Sequence, residues 1–184
     1  GSDELQPPDT VVPGQHRHAV ACDDVGGMVV FLDHRSQGVG GKGVTGHSIK
    51  NEDELMSLIP AQTLDTMLFF SDRGKVYAEK VYQIPDADRI NKGVPLVNIL
   101  SLDPNEIITT ALAVPKFDEE GFITLGTVHG RMKRMTLSTL SSVRPSGIIA
   151  INLSDKDELG WARLTTGNDD IILVTKQGQA LRFN

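Results

Sequence analysis

The chain has little cysteine, few aromatics and no long apolar run, and each shortage narrows what it can be. Its one cysteine, Cys22, cannot close an internal disulfide, so nothing points to an oxidising compartment. An inert, half-buried thiol is the plain expectation for it. No apolar stretch nears the roughly 18 residues that a membrane span requires, and no signal-peptide pattern is visible. The expected location is therefore the cytoplasm, with no membrane partner. Aromatics make up 5% of the 184 residues, with a single Trp, Trp161. A protein-interaction scaffold would favour exposed aromatic anchors, whereas Trp161 stands at a strand start, where packing is the expected job. A structural zinc site needs four ligands at recognisable spacing. His16 and His18 alternate near Asp23 and Asp24 without such a pattern, so no metal is expected.

What the chain does have is repetition. An acidic turn recurs as Asp3-Glu4-Leu5, Asp53-Glu54-Leu55, Asn105-Glu106-Ile107 and Asp157-Glu158-Leu159, closing at intervals of 50, 52 and 52 residues. Gly74, Gly130 and Gly178 keep the same beat in the turns Ser71–Val76, Thr127–Met132 and Thr175–Ala180, as do Gly43, Gly93 and Gly147. Markers in one phase at this period indicate an array in which each unit is one supersecondary piece. The units run approximately 3–52, 53–104, 105–156 and 157–184, after a Gly1-Ser2 start read as a cloning scar. The last unit lacks the strand supplied elsewhere by Val94–Leu102 and Ile148–Leu153. The expectation is an open array of about three and a half units, a piece of a longer one.

Each unit reads as strand, turn, strand, loop, strand, which makes the class all-β. Thr66–Phe70, Phe122–Leu125 and Ile171–Val174 are short apolar runs suited to strands covered on both faces. The return strands Lys75–Tyr82, Arg131–Leu137 and Gln179–Phe183 mix basic and apolar residues. Val76 and Ala78 should face one way, Tyr77 and Glu79 the other. Glycine suits the turns because a hairpin needs positive φ there. Pro85, Pro95 and Pro115 fall at element ends, where a missing N–H matters least. Short helices are expected at Glu52–Leu58 and Leu137–Ser142. The first unit departs from the pattern: Pro13-Gly14 breaks its opening strand, and Gln15–Val25 makes no convincing one.

Gln37-Gly38-Val39-Gly40-Gly41-Lys42-Gly43 is too rich in glycine for a core strand or helix. It can form an exposed loop whose N–H groups and one ammonium approach a phosphate closely, or a flexible linker. It is not a Walker A motif, since Gly43 follows Lys42 where Ser or Thr is needed.

With these residues in view, the chain resembles the C-terminal domain of the A subunit of bacterial DNA gyrase. The family carries a Gln-Arg-Arg-Gly-Gly-Lys/Arg-Gly box, matched here by Gln37, Gly40, Gly41, Lys42 and Gly43, with Gly38 and Val39 in place of the two arginines. The likeness continues through Asp65–Tyr77, Lys80–Pro85, Lys92–Leu100, Thr124–Lys133 and Ile171–Phe183, and covers Arg35 to Asn184; Pro13 to His34 does not fit it. The resemblance implies a β-pinwheel, a propeller-like fold, that wraps duplex DNA around its rim to support ATP-dependent negative supercoiling. It implies as partners the B subunit, together with the rest of the A subunit, in a heterotetramer. It also implies no cofactor and no catalytic residue in this segment, because the nucleophilic tyrosine lies in another domain.

The net charge of −6, from 18 Lys and Arg against 24 Asp and Glu, stands against DNA binding only if charge is evenly spread. The acids concentrate in the repeated turns, where a carboxylate commonly caps or faces water. The bases concentrate on the hairpins: Arg73, Lys75, Lys80, Arg131, Lys133, Arg134, Lys176 and Arg182. Repeated along an arc, they would make a phosphate track blind to sequence; the plainer reading is a solvated edge that blocks strand pairing. Two alternatives stay open, the corresponding domain of topoisomerase IV, whose box is degraded, and a propeller-type interaction scaffold. An enzyme with paired carboxylates in a ring channel is disfavoured, as every repeated acid sits in a turn.

Overall fold

The computed structural model describes residues 18–22, 28–33, 54–86, 94–118 and 120–184. Thirteen strands carry the fold over these residues: β1 (His18–Cys22), β2 (Met28–Asp33), β3 (Glu54–Pro60), β4 (Thr66–Ser71), β5 (Lys75–Lys80), β6 (Val94–Pro95), β7 (Ile108–Val114), β8 (Phe122–Thr127), β9 (Met132–Thr136), β10 (Ile148–Ile149), β11 (Leu159–Thr165), β12 (Ile171–Val174) and β13 (Ala180–Phe183). They form four antiparallel sheets in the orders β3-β2-β1-β6, β10-β5-β4-β7, β11-β8-β9 and β12-β13.

A hairpin founds each sheet. In the first, the next long strand, β3, joins the hairpin's second strand and the two-residue β6 joins its first. In the second and third, the next long strand joins the hairpin's first strand, and in the second the two-residue β10 joins the other edge. The chain therefore leaves the second hairpin to place Val94 and Pro95 on β1 before it returns as β7 beside β4. Neighbouring sheets interlock through this interleaving, which is the propeller-like array expected from the repeats and the β-pinwheel that the family resemblance implies.

The strand period of two divides each hairpin between two cores. Met67, Phe69 and Tyr77 pack toward the first sheet with Leu96, Leu100 and Ile108. Leu68, Phe70, Val76 and Ala78 pack the other way, against Ile123, Leu125, Leu140 and Ala150. Every residue of β4 is buried. Three alike turns close the later hairpins. Gly74, Gly130 and Gly178 have φ of +75°, +84° and +80°, and a hydroxyl at the end of the first strand braces each turn. Ser71 Oγ accepts from Lys75 N–H at 3.3 Å, Thr127 Oγ1 from Arg131 N–H at 3.0 Å, and Thr175 Oγ1 from Gln179 N–H at 3.1 Å.

Three expectations need correction. Glu54–Pro60 is a strand, not part of a helix, because its pairing with β2 overrides the helical spacing of its leucines. The second expected helix is a single 3-10 turn over Leu137–Leu140, which tucks Leu137 and Leu140 into the core. Gln15–Val25 does contain a strand, His18–Cys22, held between β2 and β6. Long-range pairing decides the two strands, and core packing the 3-10 turn.

Candidate nucleic-acid interface

The expected cations do not form one row. Arg73, Lys75, Arg131 and Lys176 cluster at the glycine-turn ends of their hairpins, while Lys80 lies at the far end of β5, about 17 Å along the strand from Lys75 at ~3.4 Å per residue. Lys80 Nζ donates to the Leu64 carbonyl at 3.3 Å. Lys133 and Arg134 are adjacent on β9 and so point to opposite faces. Lys133 Nζ donates to the Ala150 carbonyl at 2.5 Å. Arg134 lies 5.0 Å over the Phe122 ring and donates to the Gly167 carbonyl at 3.5 Å. Arg182 is paired with Asp170. Gln37, Gly40, Gly41, Lys42 and Gly43 lie outside the described residues.

The turn-end cations divide by their partners. In the second sheet, Lys75 Nζ is 2.5 Å from Asp103 Oδ2, and Arg73 Nη1 is 3.8 Å from the same oxygen. Arg73 also donates to the Pro104 carbonyl at 2.7 Å. The Lys75 ammonium holds the Asp103 carboxyl below its usual range, and that carboxylate raises Lys75 in return. The corresponding cation of the third sheet, Arg131, meets only neutral oxygens among the described residues: Ser154 Oγ at 2.7 Å and the Asn152 carbonyl at 3.5 Å.

Beneath these turns lie acids that sequence reasoning placed in capping or water-facing turns. Glu106 is 7% exposed; its Oε2 accepts from the Tyr77 hydroxyl at 2.6 Å and the Asp103 N–H at 2.9 Å, while its Oε1 has no partner among the described residues. Burial foremost, then the Glu106 bond, pushes the Tyr77 phenol well above its ordinary range. A tyrosine so held is a structural donor, in keeping with its lack of a catalytic motif. One unit later Asp157 is buried too, and its Oδ1 caps the N–H groups of His129 at 3.0 Å and Glu158 at 2.9 Å. Burial would raise its pKa, but these bonds and the Thr127 hydroxyl outweigh it and leave Asp157 below its usual range. His129 Nδ1 stands 3.6 Å from the same carboxylate.

Asp103, Ser154, His129 and the bracing hydroxyls were missed as functional or supporting residues. Their only sequence signal was their place in the repeat, since each acts through a partner more than twenty residues away or through its own turn. Trp161, expected to pack, is half exposed at 50%. It lines a groove of about 520 Å³ between β3, β7 and β11 with Thr109, Thr110 and Arg163. Among the described residues, that groove has no carboxylate, histidine or cysteine in its lining. Among the described residues no three His, Cys, Asp or Glu gather as metal ligands, and no helix is long and apolar enough to cross a membrane.

Against known proteins, the family model described as DNA gyrase C-terminal domain, beta-propeller, matches residues 35–62, 65–115, 122–165 and 169–184. The DNA gyrase A subunit of Clostridium acetobutylicum is 43% identical over 151 residues, 82% of this chain but 18% of that protein. Among solved structures, the C-terminal domain of a DNA topoisomerase IV superposes with TM-score 0.68 at 24% identity, over 95% of this chain and 53% of the other. A DNA gyrase A C-terminal domain superposes with TM-score 0.64 at 24% identity, over 93% and 55%. At such identity these two speak for the fold alone. The family match carries the assignment, and the chain belongs to the DNA gyrase C-terminal domain, beta-propeller, family.

Proposed function

We propose that this chain is a non-catalytic DNA-binding and DNA-wrapping segment of a DNA gyrase A subunit. It acts in the cytoplasm with the B subunit and the remainder of the A subunit. The observation that carries the reading is Arg131. It stands at a hairpin end, in a position that recurs from sheet to sheet, with its guanidinium against neutral oxygens only among the described residues. Such a cation keeps its full charge for a phosphate oxygen and can meet it with two parallel N–H bonds. Lys133, two residues on along the same hairpin, adds charge on the same strand face, and Lys176 stands exposed at the next hairpin turn. Contacts to phosphates carry no sequence information, so duplex of any sequence should bind alike. The Gln37–Gly43 loop adds backbone N–H groups and Lys42 on sequence grounds.

Fluorescence anisotropy with labelled duplexes of unrelated sequence tests this. Affinity should fall steeply with salt as phosphate contacts release counterions. Arg131→Ala with Lys133→Ala should weaken every duplex alike, about tenfold near 0.1 M salt, and flatten the log–log salt slope by about 2. Binding indifferent to salt, or strongly selective for one sequence, would overturn the reading.

A further inference from the structure

The second and third sheets present hairpin ends of one geometry and different charge, Asp72-Arg73-Gly74-Lys75 in one and Val128-His129-Gly130-Arg131 in the other. In each, the residue after the turn glycine reaches across to the loop that leads into the next buried acid. In the third sheet Arg131 meets the Ser154 hydroxyl at 2.7 Å. In the second, the place of Ser154 is taken by Asp103, whose carboxylate sits against both Lys75 and Arg73 at 2.5 and 3.8 Å. The two loops share a backbone turn: Glu106 N–H donates to the Asp103 carbonyl and Asp157 N–H to the Ser154 carbonyl, each at 3.1 Å. Asn105 and Lys156 hold the same left-handed φ, 60° and 61°.

A carboxylate bridging a lysine and an arginine occupies the place a phosphate would take. We infer that Asp103 masks a phosphate-binding site formed by Arg73 and Lys75, so the residue at this loop position sets how strongly each blade holds DNA. The inference rests on the DNA reading above and deepens it. With a carboxylate the blade is muted; with a hydroxyl, as at Ser154, it is open. All three side chains of the masked site are solvent-accessible, between 28% and 49% exposed, so an incoming phosphate can compete for the cations. It must then displace Asp103 while being repelled by it. Asp103 stays ionised at any pH where DNA is handled, because Lys75 holds its carboxyl low. Acidification therefore does not lift the mask, and only a change of residue or a competing polyanion does.

Asp103→Asn and Asp103→Ser remove the charge and leave the Asp103 backbone N–H on Glu106. Ser154→Asp installs the mask on the third sheet. In the same anisotropy assay, each Asp103 variant should bind duplex about fivefold tighter near 0.1 M salt, with a salt slope steeper by about 1 to 2. Ser154→Asp should bind about fivefold weaker with a shallower slope. Circular dichroism and thermal melts confirm that each variant is folded; should the Asp103 variants fail there, Ser154→Asp decides alone. Salt-dependent binding by the parent chain that is unchanged in the folded variants would overturn the mask and leave the DNA reading intact. Absence of salt-dependent binding by the parent chain would overturn both.

Discussion

At the scale of single residues, the fold relies on a few polar contacts whose value comes from burial. Tyr77 is fully enclosed in the first core, and its hydroxyl is one of two donors to Glu106 Oε2. Removing it leaves a buried carboxylate with one donor and an Oε1 that already lacks one among the described residues. Tyr77→Phe should cost about 1–3 kcal/mol in urea unfolding, because an under-satisfied buried charge bears most of its desolvation penalty. The same residue predicts a pH dependence. Its folded pKa is raised above the ordinary 10.0, so the folded chain retains a proton that the unfolded chain releases in alkali. Its contribution is complete below about pH 10 and declines as pH rises above that. The alkaline loss of stability should be visibly smaller in Tyr77→Phe than in the parent; equal losses would show that other groups cause it. None of this was legible in the sequence. The repeated acids announced a turn, but only the tertiary neighbour 29 residues away decides that Glu106 is buried. The cations were legible as a set, whereas the division between masked Lys75 and open Arg131 depends on what faces each from another loop.

At the scale of elements, the hairpins were the most readable part because their instructions are local. A glycine at positive φ, a Ser or Thr closing the first strand, and apolar runs on either side suffice. The two-residue strands β6 and β10 were not readable as partners of β1 and β5, since that pairing crosses a whole unit. The turns that look alike in sequence are unequal in space. A Cβ on Gly74 would stand 2.4 Å from the Ile151 carbonyl oxygen, in the segment that bonds back to the Gly74 carbonyl through Ala150 and Ile151 N–H. A Cβ on Gly130 would meet nothing within 4 Å among the described residues. Gly130→Ala should cost only the left-handed backbone penalty, about 1–2 kcal/mol. Gly74→Ala adds displacement of the β10 segment and should cost about 2 kcal/mol more, in the range of a severe core change. Denaturant midpoints of the two variants compare them directly, and equal losses would mean that β10 shifts freely.

At the scale of the whole molecule, stability is unevenly distributed because the sheets differ in how much each neighbour covers. The second sheet lies between two apolar cores, and its strand β4 is buried throughout. At the next joint the residues that correspond to Leu68, Phe70, Val76 and Ala78 are Thr124, Gly126, Met132 and Arg134. That face carries a Thr124–Thr165 hydroxyl contact at 3.0 Å, made within the third sheet, and a cleft of about 130 Å³ where the earlier joint has close apolar packing. On the fourth sheet the outward pair is Ile172 and Val174, 63% and 71% exposed. The joint after the third sheet therefore has polar groups where the joint before it has apolar burial, and it holds its sheets less firmly. Native-state amide exchange should show this as a gradient. Amides of β4 and β5 should exchange only through unfolding of most of the structure. Those of β12 and β13 should exchange through local opening, roughly a hundredfold faster or more, with β8 and β9 between. Uniform protection from β4 to β13 would mean that the sheets unfold as one unit and that the polar joint after the third is no weaker than the apolar one before it. The open cation Arg131 and its neighbour Lys133 belong to the intermediate sheet, so saturating duplex DNA should slow exchange there first, by linkage of binding to folding. Protection gained instead at β5 and the turn before it would place the DNA on Arg73 and Lys75, against the mask that Asp103 provides.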